Sequence, residues 1–237
     1  MNILAVDTST NAMNIAVVKD KERTSFHHVG KMEHSENLMP RIMDMTKKAG
    51  LTLNDYDLLV CPKGPGSFTG LRIAMSALKG IAVATDTPLV TVDTNLVLSS
   101  QVAYFDGIVV PVIDAKKRRF YTALFKNGAR VTKDIDTTEE EMIELLADEK
   151  RVLFTGPDAQ MFYDKLLKKG LKEQCPTLDA FVDSSSFDFA IKLAELGLCE
   201  FNKNGPAEMG IGPTYIRKSD AEVALENKIK EMNKSEI

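Results

Sequence analysis

The feature that most restricts the fold is an internal echo. Asp7 and Asp114 stand 107 positions apart, and the same offset places Ala16 on Ala123, Val17 on Leu124, Val18 on Phe125, Lys19 on Lys126 and Asp20 on Asn127. In the first copy an apolar run, Ile3 to Val6, meets the turn-forming string Asp7-Thr8-Ser9-Thr10-Asn11 and returns through Met13 to Val18. Short apolar runs bounded by turn residues read as strands, so each copy is a hairpin with an aspartate at its turn. The second copy, IVVPVIDAKKRRFYTALFKNG, repeats that grammar. Downstream units also correspond. Asp57 to Cys61 runs into Gly64-Pro65-Gly66 and an amphipathic helical pattern, and Arg151 to Thr155 runs into Gly156-Pro157 and a second one over 158–169. The expected fold class is therefore α/β with two similar halves, residues 1–104 and 105–214, each a mixed sheet with flanking helices. A charged helix over about 215–230 is expected to return onto the first half.

A chain of 237 residues has room for two such halves. Lys and Arg total 30 against 34 Asp and Glu, for a net charge of -4 and a pI near 5.5. That balance argues against a dedicated nucleic-acid binder, so any RNA contact has to be local or made through a partner. Cys61, Cys175 and Cys199 are scattered and form no Cys-x-x-Cys pair, which points to a reducing, cytoplasmic setting. The N-terminus lacks the basic region and apolar length of a signal peptide, and no apolar stretch of about 20 residues occurs, so no membrane association is expected.

Asp7-Thr8-Ser9-Thr10 offers hydroxyls, backbone N–H groups and a carboxylate at a tight turn, a chemistry that suits phosphate or hydrated Mg²⁺ as well as plain turn capping. Its recurrence at Asp114 favours the ligand reading, since sugar kinases, actin and the heat-shock ATPases enclose a nucleotide between two opposed hairpins of this kind. The run Lys116-Lys117-Arg118-Arg119 at the second turn is either a solvated turn or a phosphate contact. Lys63-Gly64-Pro65-Gly66-Ser67-Phe68-Thr69-Gly70-Leu71-Arg72 is the densest string in the chain. It is not a P-loop, because Leu71 stands where the lysine is required, but its glycines permit close backbone approach and Ser67 or Thr69 can cap the helix that follows. His34 has no partner four residues on, where Leu38 stands, and the adjacent His27 and His28 point to opposite faces of a strand, so no metal site is expected.

Two helices carry the interaction signal. Leu38, Ile42, Met45 and Ala49 form one apolar stripe, widened by Met39 and Met43 beyond what a single core face needs. Gly70, Leu71, Ala74, Met75, Leu78, Ile81 and Ala82 form another, small and flexible enough for close helix approach. The methionine excess favours burial against a partner as well as the chain's own core.

ILAVDTST, HSENLMP, KGPGSFTGLRIAMSALKGIA, IDAKKRRFY and PTYIRK, in that order and reaching Lys218, resemble the TsaB (YeaZ) family, bacterial subunits of the machinery that makes threonylcarbamoyladenosine in tRNA. The resemblance implies a duplicated actin-like, heat-shock-ATPase-like fold. It implies a non-catalytic role for this chain: the catalytic paralogue, TsaD, transfers the threonylcarbamoyl group to the adenosine next to the anticodon. It further implies that the helices beginning near His34 and Ser67 pack on that paralogue, bringing His34, Leu38, Met39, Ile42, Met45, Ser67, Phe68, Thr69, Leu71, Arg72, Met75 and Leu78 to the interface. A charge at Met45 or Leu78 is then expected to break the contact. A TsaE-type ATPase joins the assembly, tRNA is reached through the complex, and homodimers form when the paralogue is missing. No cofactor is required by the chain alone, ATP or ADP belonging to the complex. Arg119 departs from the glutamate the family usually places there. The competing expectation is an autonomous Mg-nucleotide-dependent ATPase or phosphotransferase built on Asp7 and Asp114.

Overall fold

The computed structural model describes residues 1–30, 33–183 and 189–217. The first half opens with a meander, β1 (Asn2–Asp7), β2 (Ala12–Lys19) and β3 (Glu22–Val29), followed by α1 (His34–Lys48), β4 (Leu58–Gly64), α2 (Phe68–Thr85), β5 (Leu89–Asp93) and the linking helix α3 (Thr94–Ser100). The second repeats the plan with β6 (Ile108–Asp114), β7 (Phe120–Thr122), a small β8 (Phe125–Lys126) and β9 (Ala129–Arg130) pair, and β10 (Ile135–Thr137). Then come α4 (Glu139–Leu145), β11 (Arg151–Thr155), α5 (Ala159–Lys168), α6 (Leu171–Gln174) and β12 (Asp179–Val182), with α7 (Phe189–Asn204) last.

The sheets run β3-β2-β1-β4-β5 and β10-β7-β6-β11-β12. In both, the central strand pairs antiparallel with its hairpin partner and parallel with the strand beyond. The two halves thus share order and polarity, and the offset of 107 that lays Asp7 on Asp114 joins the last residues of β1 and β6. This is the duplicated α/β arrangement of the actin-like fold.

Period-two alternation sorts the first sheet's side chains into layers. Leu4, Val6, Met13, Ile15, Leu59 and Cys61 face α1 and α2, while Ile3, Ala5, Ala16, Leu58 and Val60 face α7. Both faces are covered, which is why β1 and β4 are apolar at nearly every position. The second sheet buries Val110, Val112, Val152 and Phe154 under α4 and α5, with the Phe120 and Phe162 rings tilted against each other at a centroid distance of 4.3 Å.

A helix that the expected division assigns to the second half, α7, returns onto the first sheet. Its buried stripe, Phe189, Ala190, Leu193, Ala194 and Gly197, lies on the first sheet, where a Cβ at Gly197 would come within 2.4 Å of Val60. Residues 215–217 are not helical, and the remainder of the helix expected at 215–230 lies outside the described residues.

Behind the cleft, Arg130 of the second half bridges Asp93 at 2.5 Å and Asp134 at 2.7 Å, and Asn95 donates to Asp134 at 2.9 Å. Burial, then the neighbouring Asp134 carboxylate, pushes the Asp93 carboxyl up to about 6. A folded-state value above the ordinary 3.8 means that the native protein holds this proton more tightly than the unfolded chain. The group's contribution is therefore full below about pH 4 and is lost as pH rises through about 6. Asp93 also caps α3 by accepting from Leu96 N, a role asparagine keeps. Asp93→Asn is expected to gain about 2 kcal/mol over wild type between pH 4 and pH 7, read as diverging thermal midpoints across that range.

Candidate functional site

The first hairpin turn is built around a buried carboxylate. Asp7 is 1% exposed, and its two oxygens accept from Ser9 N at 2.7 Å and Asn14 Nδ2 at 2.8 Å. Burial lifts its carboxyl above the ordinary value, and the bonds from Ser9 and Asn14 draw it part of the way back. Asn14 Oδ1 in turn meets His27 Nδ1 at 2.6 Å.

The glycine-rich string serves this turn. Ser67 N donates to Ser9 O at 2.6 Å, Thr8 Oγ1 donates to Gly70 O at 2.7 Å, and Ser67 Oγ accepts from Gly70 N at 3.3 Å as the N-cap of α2. A Cβ at Gly66 would lie 2.6 Å from Ser9 O, and one at Gly70 only 1.8 Å from Thr8 O. His34 pins the same turn from α1, its Nε2 lying 3.2 Å from Thr10 O.

The second turn is different in character. Lys116, Lys117 and Arg118 have φ of 60°, 56° and 61°, a left-handed path that closes with Ala115 N donating to Arg119 O. Asp114 accepts from Lys116 N at 2.8 Å and from Lys116 Nζ at 2.7 Å. Partial burial works against its charge, but these bonds outweigh it and hold the carboxyl below its ordinary value. Asp158, at the start of α5, accepts from Asp114 N at 2.8 Å, and burial pushes its own carboxyl up.

A cleft of about 810 Å³ opens between the turns, lined by Ser9, Thr10, His34 and Ser67 on one side and Asp114 and Lys116 on the other. Lys117, Phe68 and Thr69 also line it. Asp7 does not. It lines a separate cavity of about 280 Å³ with Asn14, His27, Thr155 and Asp183, while Thr8 is fully buried under α2. The expected phosphate-binding set is thus divided, because the α2 N-terminus crosses directly over the first turn. Arg119 lines neither cavity, and its guanidinium is engaged by Asp136 at 2.9 Å and Glu141 at 3.2 Å.

The expected partner interface needs a larger correction. Leu38, Ile42, Met45, Leu71, Met75 and Leu78 are buried in the chain's own core between the first sheet and α1 and α2. Outward, α1 presents Met39 and Met43 among polar and charged residues such as Glu36, Arg41 and Lys47, and α2 presents Thr69, Arg72, Ser76, Gly80 and Val83. The helical period that marks the apolar stripe in the sequence finds the buried face; the complementary outward face is a stripe of smaller residues on α2 and a mixed, methionine-bearing one on α1.

Several site residues carry weak signals in the sequence. Asn14 is a polar interruption of an apolar strand, which marks it as buried and hydrogen-bonded. Thr214, Tyr215 and Arg217 line the cleft, yet their place depends on where the chain travels after α7. Among the described residues no group of three His, Cys, Asp or Glu side chains is arranged to hold a metal ion, and no helix is long and apolar enough to cross a membrane.

The family model described as "TsaD: tRNA N6-adenosine threonylcarbamoyltransferase" matches residues 28–195, well over half of the chain. The tRNA threonylcarbamoyladenosine biosynthesis protein TsaB of Bacillus subtilis is 30% identical over 232 residues, covering 94% of this chain and 96% of that protein. The TsaB of Escherichia coli is 30% identical over 128 residues, 53% of this chain and 55% of its own. The solved structure of YeaZ from Pseudomonas aeruginosa superposes with a TM-score of 0.71 at 21% identity over 91% of this chain and 99% of that one. That likeness bears on the fold, whereas the near full-length match to the Bacillus protein bears on descent. With the two-hairpin cleft and the glycine string clamped over its first turn, these similarities place the chain in the TsaB (YeaZ) family of tRNA threonylcarbamoyladenosine biosynthesis proteins.

Proposed function

We propose that this chain is the partner subunit that binds and orders a TsaD-type catalytic paralogue, without carrying the transfer chemistry itself. The observation that supports it best is the outward face of α1 and α2. Met39 and Met43 are 37% and 49% exposed and Val83 is 74% exposed, and a Cβ added at Gly80 meets nothing within 4 Å. Adaptable methionines beside a low stripe of small residues form a surface onto which two helices of another protein can pack closely. In this reading the paralogue holds the active site, a TsaE-type ATPase with its ATP or ADP joins the assembly, and tRNA is reached through the complex in the cytoplasm. Without the paralogue a second copy of this chain occupies the same face.

Because the face is solvent-exposed in the single chain, it can be altered without harming the fold. Gly80→Arg and Met43→Glu are expected to leave the thermal midpoint within a few degrees of wild type while weakening association with the paralogue by roughly 30-fold or more, about 2 kcal/mol. Co-purification and light-scattering mass check this. Variants that still assemble and support tRNA modification would remove α1 and α2 from the interface. The competing reading, an autonomous Mg-nucleotide-dependent ATPase, requires the isolated chain to hydrolyse ATP and Asp7→Ala to abolish that turnover.

A further inference from the structure

After α7 the chain doubles back along the first half and crosses to the second. Ala207 N donates to Leu89 O at 2.8 Å, Lys79 Nζ donates to Met209 O at 2.8 Å and also to Ile211 O, and Thr214 N donates to Lys63 O at 2.7 Å. Gly64 admits this segment: a Cβ there would fall 2.7 Å from Thr214 O. Tyr215 then stacks on Phe68, with ring centroids 4.4 Å apart. The Arg72 guanidinium lies 4.0 Å from the Phe68 ring centre, and Arg72 Nε donates to Tyr215 OH at 2.8 Å. Two residues on, the chain has reached the other half. Arg217 Nη2 donates to Ala115 O at 2.9 Å, and Nη1 stands 3.9 Å from Asp136 Oδ2.

We propose that residues Thr214–Arg217 are a clasp that fixes the width of the cleft, with Arg72 as its release. The segment lines the 810 Å³ cleft and is attached to both of its walls. The attachments differ in kind. On the first half a strand-type bond and an aromatic–guanidinium stack make a firm anchor. On the second a single arginine makes one bond to a carbonyl and one long ion pair, so that end holds the cleft wall only while the anchor keeps Arg217 in place. Arg72 belongs to both the anchor and the outward stripe of α2. A partner carboxylate that binds the Nε edge of the guanidinium bidentately competes with Tyr215 OH for the Nε–H, so docking on α2 through that edge loosens the clasp and widens the cleft. This coupling rests on the docking face proposed above; the clasp does not.

The test is a spin-label distance across the halves, using Lys21→Cys and Lys168→Cys in a Cys199→Ser background, because both lysines are exposed, one on each half, and neither lines the cleft. Wild type is expected to give one narrow distribution. Arg217→Ala and Tyr215→Ala, which release opposite ends, are each expected to broaden it and shift its centre by more than about 2 Å. If both variants keep the wild-type circular dichroism and thermal midpoint and also its distance distribution, the clasp is overturned. Saturating TsaD-type paralogue, with binding read by light scattering, is expected to reproduce the shift. Binding without a shift overturns the coupling through Arg72. Absence of binding sinks the docking face and the coupling with it, while the two variants still decide the clasp.

Discussion

Gly70→Ala is expected to be among the most destructive single-carbon additions this protein can receive. The new Cβ would sit 1.8 Å from the carbonyl oxygen of Thr8 and 2.9 Å from its carbonyl carbon. No rotamer change relieves the clash, because both contacts are backbone. Nor can the turn step aside: Thr8 Oγ1 is bonded to Gly70 O, Ser9 O to Ser67 N, and Ser9 N to the buried Asp7. Either α2 lifts off the first sheet, breaking the packing of Leu71, Ala74 and Met75, or the turn unravels and strands the Asp7 carboxylate. Overpacking at such a site costs about 3 kcal/mol or more. For a chain of this size that corresponds to a fall of roughly 6 to 12 °C in thermal midpoint. Alanine is otherwise the better helix former by about 1 kcal/mol, so propensity alone predicts the opposite sign. A midpoint equal to or above wild type in differential scanning calorimetry would show that α2 does not lie against the turn as described.

Leu78→Asp separates core from interface. Leu78 is fully buried with Ala74, Ile81 and Leu59 around the same cluster. The substitution removes an apolar side chain and places a carboxylate among apolar neighbours, a combined cost on the order of 5 kcal/mol. Since whole domains are stable by about 5 to 15 kcal/mol, a large fraction of the variant should be unfolded at 37 °C. The expected readout is loss of cooperative unfolding and of soluble yield, with failed assembly only as a consequence. Gly80→Arg, less than one helical turn away, should fold normally and fail only in assembly. If Leu78→Asp folded as wild type and lost only the paralogue, Leu78 would be an interface residue after all.

These two positions also mark how far the chain could be read without coordinates. The duplication was legible because hairpin grammar and the Asp7–Asp114 offset are local patterns, and local patterns survive in one dimension. The glycine string was legible as a place of close approach, since only absent side chains let backbones touch. Which backbone touches Gly70 was not legible, because Thr8 lies 62 residues upstream and nothing in the string names it. The division of Asp7 and Asp114 between two cavities was hidden for the same reason.

Helical periodicity fixed that Leu38, Ile42, Leu71 and Leu78 lie on apolar stripes, and a stripe by itself cannot say whether its cover is the chain's own sheet or another protein. Only the packing of α1 and α2 on β1, β2 and β4 decided that, by using the most apolar face at home and leaving Met39, Met43 and Gly80 outside. Likewise α7 advertises an amphipathic helix, but its assignment to the first sheet depends on a 137-residue separation between Val60 and Gly197 closing to van der Waals contact. The sequence by itself determined the repeated α/β plan, the turn chemistry and the family, all written in neighbouring residues. The tertiary structure alone decided which buried face meets which, what crosses the cleft and what is left for a partner, because those outcomes are set by the free energy of non-local burial and not by any short-range preference.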